Sequence, residues 1–274
     1  MSQPRNTMKA LNNFLTVYAM NTRQAWFHRR AATASVLSWA IRMGLTILLY
    51  AFIYQLRNGA PVNGIDFKVA ASGMVLYAIV LGFGYRDLFK TINREFKSGG
   101  IEAWLNKPIS YIQLKVAESF GKNMPVVFGL VGAAGLFWLF SGQFPLVDGV
   151  WLRMFAGVIL LGLGLAIATL LYVLVGLSVV WLQEAQPIYL ILDKLIMIFG
   201  GAFIPIGFFP TALRLIGESL PTGAAIYVTQ MFYPDFIANL PRFLITQVLW
   251  LGLLACAVMA LSKAANAQLT VNGG

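Results

Sequence analysis

Six stretches of this chain are almost wholly apolar, at about residues 36–56, 67–85, 124–140, 152–182, 188–208 and 244–261. A helix needs about 20 such residues to cross the roughly 30 Å hydrocarbon core of a bilayer. Lipid offers no partners for backbone N–H and C=O groups, so spans this long satisfy them internally, as helices. Only 11% of the 274 residues are charged, where a soluble domain carries about a quarter. The expected fold class is an all-α integral membrane protein with six transmembrane helices. One membrane domain is expected over 1–274, with its bundle at 35–262.

The charge pattern orients the spans. Arg5, Lys9, Arg23, Arg29 and Arg30 precede the first, with no acid among them. Arg86, Lys90, Arg94, Lys97, Lys107, Lys115 and Lys122 lie between the second and third. On the other side, the loop between the first and second spans holds only Arg57 and Lys68, and that between the third and fourth only Arg153 at its edge. Cytoplasmic loops carry the excess of Lys and Arg, so the N-terminus and the 86–123 loop are expected in the cytoplasm. An even number of spans returns the C-terminus there. The net charge of +10 thus reads as a topology signal, with the lipid bilayer as partner and no nucleic acid. No cleavable leader is apparent.

Two segments outside the spans are organised. In 9–30, Leu11, Phe14, Leu15, Tyr18 and Ala19 recur at helical spacing, with Trp26 and Phe27 beside Arg29 and Arg30. That pattern suits an amphipathic helix at the membrane interface, or else a soluble arm. Within 200–236, Pro205, Pro210, Pro221 and Pro234 interrupt a sequence too apolar for an ordinary loop. Two short helices over 211–233 are expected to dip into the bilayer and return, packed on protein.

Catalytic chemistry is sparse. There is one Cys, one His, no phosphate-binding G-x-x-x-x-G-K-[ST] loop and no G-x-S-x-G elbow, so no enzyme is expected. Of the ten acids, only Asp193 falls clearly inside a span. Arg42 lies about 9 Å inside its span, where it either snorkels or faces a polar seam. An Arg42–Asp193 pair is one hypothesis; Lys194, next to Asp193, faces elsewhere. Tyr50, Tyr54, Tyr77 and Tyr85 either line a route or pack. Gly162–Ala166 and Gly164–Ala168 are small-xxx-small pairs that favour close helix packing.

The most structured polar stretch is KSGGIEAWLNKPISYIQLK, 97–115. Ile101, Trp104 and Leu105 sit at i, i+3, i+4 and give a short helix one apolar face, with Glu102 and Lys107 turned away. Pro108 ends it, and Ser110 with Gln113 fits a capping box for the next helix. A short transverse helix between two rigid elements suits docking or force transmission; a plain connector on the head groups is the alternative.

This plan, with GGIEAWLNKPIS and GGAFIPIGFFPTALRLIGESLP, resembles the permease subunits of type-2 ATP-binding-cassette exporters, in the bacterial branch that exports drugs and viologens. The resemblance implies a bacterial inner-membrane subunit. It would pair with a second permease, the same chain or a paralogue, and with a cytoplasmic ABC ATPase dimer that holds ATP and Mg. Ile101, Glu102, Trp104, Leu105, Lys107 and Pro108 would form the coupling helix. Gln183 and Glu184 would make the second ATPase contact. The subunit seam or substrate path would hold Arg42, Tyr50, Tyr54, Tyr77 and Asp193. An ion-coupled carrier working without an ATPase is the competing expectation.

Overall fold

The computed structural model describes residues 4–27, 29–98, 110–182, 184–201 and 203–272. Among them the chain is helical, without a strand. In order, the helices are α1 (Pro4–Phe27), α2 (Arg29–Leu56), α3 (Phe67–Gly82), α4 (Arg86–Lys97) and α5 (Tyr111–Ser141). Then follow α6 (Val150–Leu177), α7 (Gln186–Phe199), α8 (Thr211–Ser219), α9 (Pro221–Ala224) and α10 (Phe236–Asn272).

Among the described residues, five segments are long and apolar enough to cross a membrane: Arg30–Leu56, Phe67–Lys97, Tyr111–Ser141, Val150–Val180 and Phe236–Ala265. The expected fifth span, 188–208, differs. Its helix α7 has 14 residues and is therefore about 21 Å long, short of the roughly 30 Å core. The helix stops because Gly201 adopts φ +81°, a conformation side-chain-bearing residues avoid. Pro205 and Pro210 then stand at the N-caps of a short 3-10 turn, Ile206–Phe208, and of α8, so short separate pieces follow rather than a continuation of α7.

Burial makes α3 the axis of the molecule. Its most apolar window is 78% buried, against 11% in α2 and 17% in α10, which stand at the periphery. After α3 the chain bends at Phe83–Gly84, where the Ser119 hydroxyl of α5 donates to the Gly84 carbonyl at 3.0 Å. The continuation α4 is amphipathic. Leu88, Phe89 and Ile92 are buried, and Ile92 lies against Gly176 of α6. Asp87 in its first turn, with Arg94 and Lys97 in its last, suits the helix dipole.

The stretch expected to hold two re-entrant helices contains α8, α9 and a 3-10 turn at Tyr227–Gln230. Every residue of 222–233 is buried, wedged among α3, α6 and α10. Gly164 permits this: a Cβ there would collide with the Ala225 carbonyl. At Gly157 a Cβ would meet the Met231 sulfur at 2.6 Å. The small residues of α6 therefore admit this irregular segment rather than a second long helix, and Gly162 faces open space. The buried backbone finds partners as it must. Gln247 of α10, for instance, donates to the Ala224 carbonyl at 2.8 Å and the Leu160 carbonyl at 3.0 Å.

α1 bears apolar residues both toward the bundle and away from it. Its principal partner is α5, against which Tyr18, Asn21 and Thr22 close over Gly121. Phe14, Val17 and Tyr18 are half-buried, while Leu11, Leu15 and Met20 are exposed. Ser110 occupies the N-cap of α5 as expected, but its side chain makes no capping bond.

Candidate functional site

Three polar groupings punctuate the apolar bundle. The central one gathers where α3 bends into α4. Asp193, 3% exposed, points inward from α7. Its carboxylate accepts from the Arg86 guanidinium at 2.5 Å and from the Tyr172 hydroxyl at 2.9 Å. Tyr85, Tyr172 and Tyr189 wall this node, with the Tyr85 and Tyr172 rings 5.4 Å apart and those of Tyr172 and Tyr189 5.9 Å apart. Phe89 stacks on Tyr189 at 4.5 Å. The Tyr77 and Tyr85 hydroxyls are buried without a hydrogen-bond partner among the described residues. The postulated Arg42–Asp193 pair is thus replaced by Arg86–Asp193. Arg42 is exposed on α2, with its guanidinium 5.1 Å from the Trp39 ring centre.

The second grouping lies at the end where most Lys and Arg collect. Lys115 of α5, 5% exposed, pairs with Glu95 of α4 at 2.6 Å and Glu118 at 3.2 Å. Tyr111 donates to the other Glu95 oxygen at 2.9 Å. These contacts lock the base of α5 to the end of α4. Lys97, the last residue of α4, reaches Glu184 at 3.3 Å, in the turn before α7. Of the expected coupling residues, Glu184 is therefore placed, exposed and paired. Ile101, Glu102, Trp104, Leu105, Lys107, Pro108 and Gln183 lie outside the described residues.

The third grouping braces the opposite end. Glu218 of α8, 1% exposed, accepts from Arg214 at 2.7 Å and forms an ion pair with Arg242 of α10 at 3.3 Å. Arg214 also holds Asp235 at 2.7 Å. The Tyr227 hydroxyl donates to the Glu218 carbonyl, and the Trp250 indole to the Ser219 carbonyl at 2.8 Å. Burial alone would lower the Arg214 pKa; the hydrogen bond and charge of Glu218, with Asp235, outweigh it and raise it. Beside this network Arg153 donates to the Asp148, Met231 and Tyr233 carbonyls at 2.9, 3.2 and 2.7 Å.

The tyrosines divide by environment. Tyr50 and Tyr54, both buried, tie α2 to the irregular end, donating to the Phe203 and Ile65 carbonyls at 2.6 Å each. Tyr85 faces the central node, while Tyr77 lies near Gly200, just past the end of α7. Arg42, Tyr50, Tyr54 and Tyr77 are not among the hydrogen-bond partners of Asp193, which are Arg86 and Tyr172. Sequence reasoning missed Arg86 and Tyr172 as partners of Asp193, and Glu218 and Gln247 as anchors. Arg214 and Glu218 at i, i+4 on a short apolar helix were the available signal; Arg86 was masked by its role as one of many basic loop residues.

Among the described residues no three His, Cys, Asp or Glu side chains gather in a way that would hold a metal ion. The sequence matches no protein-family model, and no curated protein is significantly similar to it.

Proposed function

We propose that this chain is the membrane permease subunit of an ATP-driven exporter of the type-2 ATP-binding-cassette kind. The observation that carries the reading is the Lys97–Glu184 contact. It sets the end of α4, where the 101–108 segment begins, beside the turn before α7. Lys97 and Glu184, described residues beside or within the two stretches that the sequence offers as ATPase contacts, thereby share one end of the bundle. The rest agrees in kind: a braced base at that end, and a buried irregular cap at the other.

In this reading the chain crosses the bacterial inner membrane six times. α2, the bent α3–α4 pair, α5, α6 and α10 cross directly, and α7 crosses with the 200–210 stretch completing its path. Both termini face the cytoplasm, and 211–233 re-enters from the outer side. A second permease, identical or paralogous, would meet it along α2, α3 and α7. An ATPase dimer would hold the ATP and Mg, and its closure would pull on 101–108. α4 would pass that pull to the Arg86–Asp193 node and so to α7. The cargo would be an amphipathic small molecule, a lipid or a glycolipid. The test is purification with a P-loop ATPase, followed by Trp104→Ala and Glu102→Lys. Hydrolysis uncoupled from transport supports the reading; normal coupling in both variants opposes it.

One observation favours a second reading. A buried, hydrogen-bonded carboxylate beside a helix that breaks at Gly200–Gly201 is the kind of feature ion-coupled carriers use. Uptake by the purified chain in liposomes, driven by a proton or sodium gradient without ATPase, would select it.

A further inference from the structure

Along the central helix α3, polar groups without a protein partner follow one another. Ala70, Gly73, Met74 and Tyr77 recur at i, i+3, i+4 and i+7, so they share one face, and all are buried. A small cavity of about 10 Å³ lies between Gly73 and Met74 of that face, Gly201 beyond the end of α7, and Thr229 and Tyr233 of the buried turn. Tyr77 comes next, its ring against Gly200, where a Cβ would meet it at 3.2 Å. Past the bend stands Tyr85, with its ring 5.4 Å from that of Tyr172. The Tyr77 and Tyr85 hydroxyls are the two on this helix that are buried and bonded to no described residue. Arg86 follows, and its side chain is 24% exposed, so the line reaches the protein surface there. Leu81, on the same face between the two tyrosines, is buried and apolar, so these positions are separate and do not form a continuous file.

Buried polar groups in folded proteins bond to protein or to ordered water. Three features select water. The first is charge: Arg86 and Asp193 balance each other, and the residues around the cavity at Gly201 are neutral, so neither site calls for an ion. The second is size, because a cavity of that volume takes about one water molecule. The third is hydrogen-bond sense. A tyrosine hydroxyl both donates and accepts, as water does, and Arg86 has five N–H groups, of which the bond to Asp193 uses one. At the end of α7, Gly200 and Gly201 donate to the Ile196 and Ile198 carbonyls. The last carbonyls of a helix lack intrahelical partners, so the neighbouring ones depend on other donors.

We infer that α3 carries a set of internal water-binding sites: one in the cavity at Gly201, one at the Tyr77 hydroxyl and one at the Tyr85 hydroxyl beside Arg86. The water at Tyr85 supplies Arg86 with a replacement partner. The Arg86–Asp193 pair can then part without leaving a bare charge in the bundle, since a water-mediated bond is nearly as good in enthalpy as a direct one. This inference stands whether or not the transport reading holds, because its test uses the purified full chain without any ATPase.

The experiment exposes the purified full chain to millisecond X-ray pulses and reads tyrosine oxidation by mass spectrometry. The radicals form from water in place, so a buried side chain is modified where water is bound beside it. Tyr50 and Tyr227 are the controls: both are buried, and their hydroxyls are bonded to the Phe203 and Glu218 carbonyls. Tyr77 and Tyr85 are expected to be oxidised several-fold faster than either control. A second measurement is the thermal midpoint of Tyr85→Phe. Removing a hydroxyl that water satisfies is expected to lower it, whereas removing a dry, unbonded hydroxyl relieves its desolvation and raises it. Equal oxidation rates at the four tyrosines would overturn the inference. So would a Tyr85→Phe midpoint equal to or above that of the wild type.

Discussion

At the scale of single residues, the bundle depends on a few polar contacts in an apolar interior. Asp193 is the most exposed to consequence, because its charge is buried and Arg86 balances it. Removing one partner of a buried ion pair costs about 3–5 kcal/mol, since the other is left uncompensated. Arg86→Met is therefore expected to lower thermal stability by that order. Arg86→Met with Asp193→Leu is expected to recover much of the loss, because an apolar replacement of both partners leaves no buried charge. A double variant no more stable than Arg86→Met would argue against the pairing. Glu218→Gln keeps the shape but weakens the hold on Arg214 and Arg242. A hydrogen bond to a charged group contributes about 1.5–3 kcal/mol, so a loss of that order is expected in a denaturation series.

At the scale of elements, the irregular segment depends on space left in α6. Gly164→Val would drive side-chain atoms into the Ala225 carbonyl. Overpacking of this kind costs typically about 1–3 kcal/mol. The expected result is faster proteolysis within 200–235, while Gly162→Val, facing open space, leaves cleavage unchanged. These elements also show what the sequence discloses and what it hides. Hydropathy marks the part of a helix that sits in hydrocarbon, not its ends. Thus α2 starts at Arg29 rather than 36, because polar turns continue that helix beyond the apolar run; the start of α5 at Tyr111 was legible from Ser110 and Gln113 instead. The buried turn at 222–233 was legible from its prolines and apolar content. The early end of α7 was not, because an apolar run continues past Gly201 although the helix does not. The partner of Asp193 was also hidden: 107 residues separate it from Arg86, and no local pattern joins residues that only tertiary packing brings together. The face of α1 that meets α5 was hidden for the same reason.

At the scale of the whole molecule, the two ends differ in build. One end holds Glu95, Lys115, Lys97 and Glu184 in paired contacts near the point where α4 leaves the bundle. The other is capped by a buried, arginine-braced turn. Lys97→Glu is expected to separate α4 from the α7 turn by like-charge repulsion with Glu184. The pair is exposed, so stability should change little, by about 1 kcal/mol or less, while ATP-dependent transport falls. Unchanged transport in that variant would remove the contact from the proposed path.

The most direct measurement places a photoactivatable cross-linking residue at position 104 in the full chain, in native membranes, and identifies what it captures on illumination. The expected result is an adduct with a P-loop ATPase whose yield changes when ATP is bound. Capture of lipid alone, or labelling of position 104 by an impermeant reagent from outside the cell, would contradict the proposal that a cytoplasmic ATPase drives this chain.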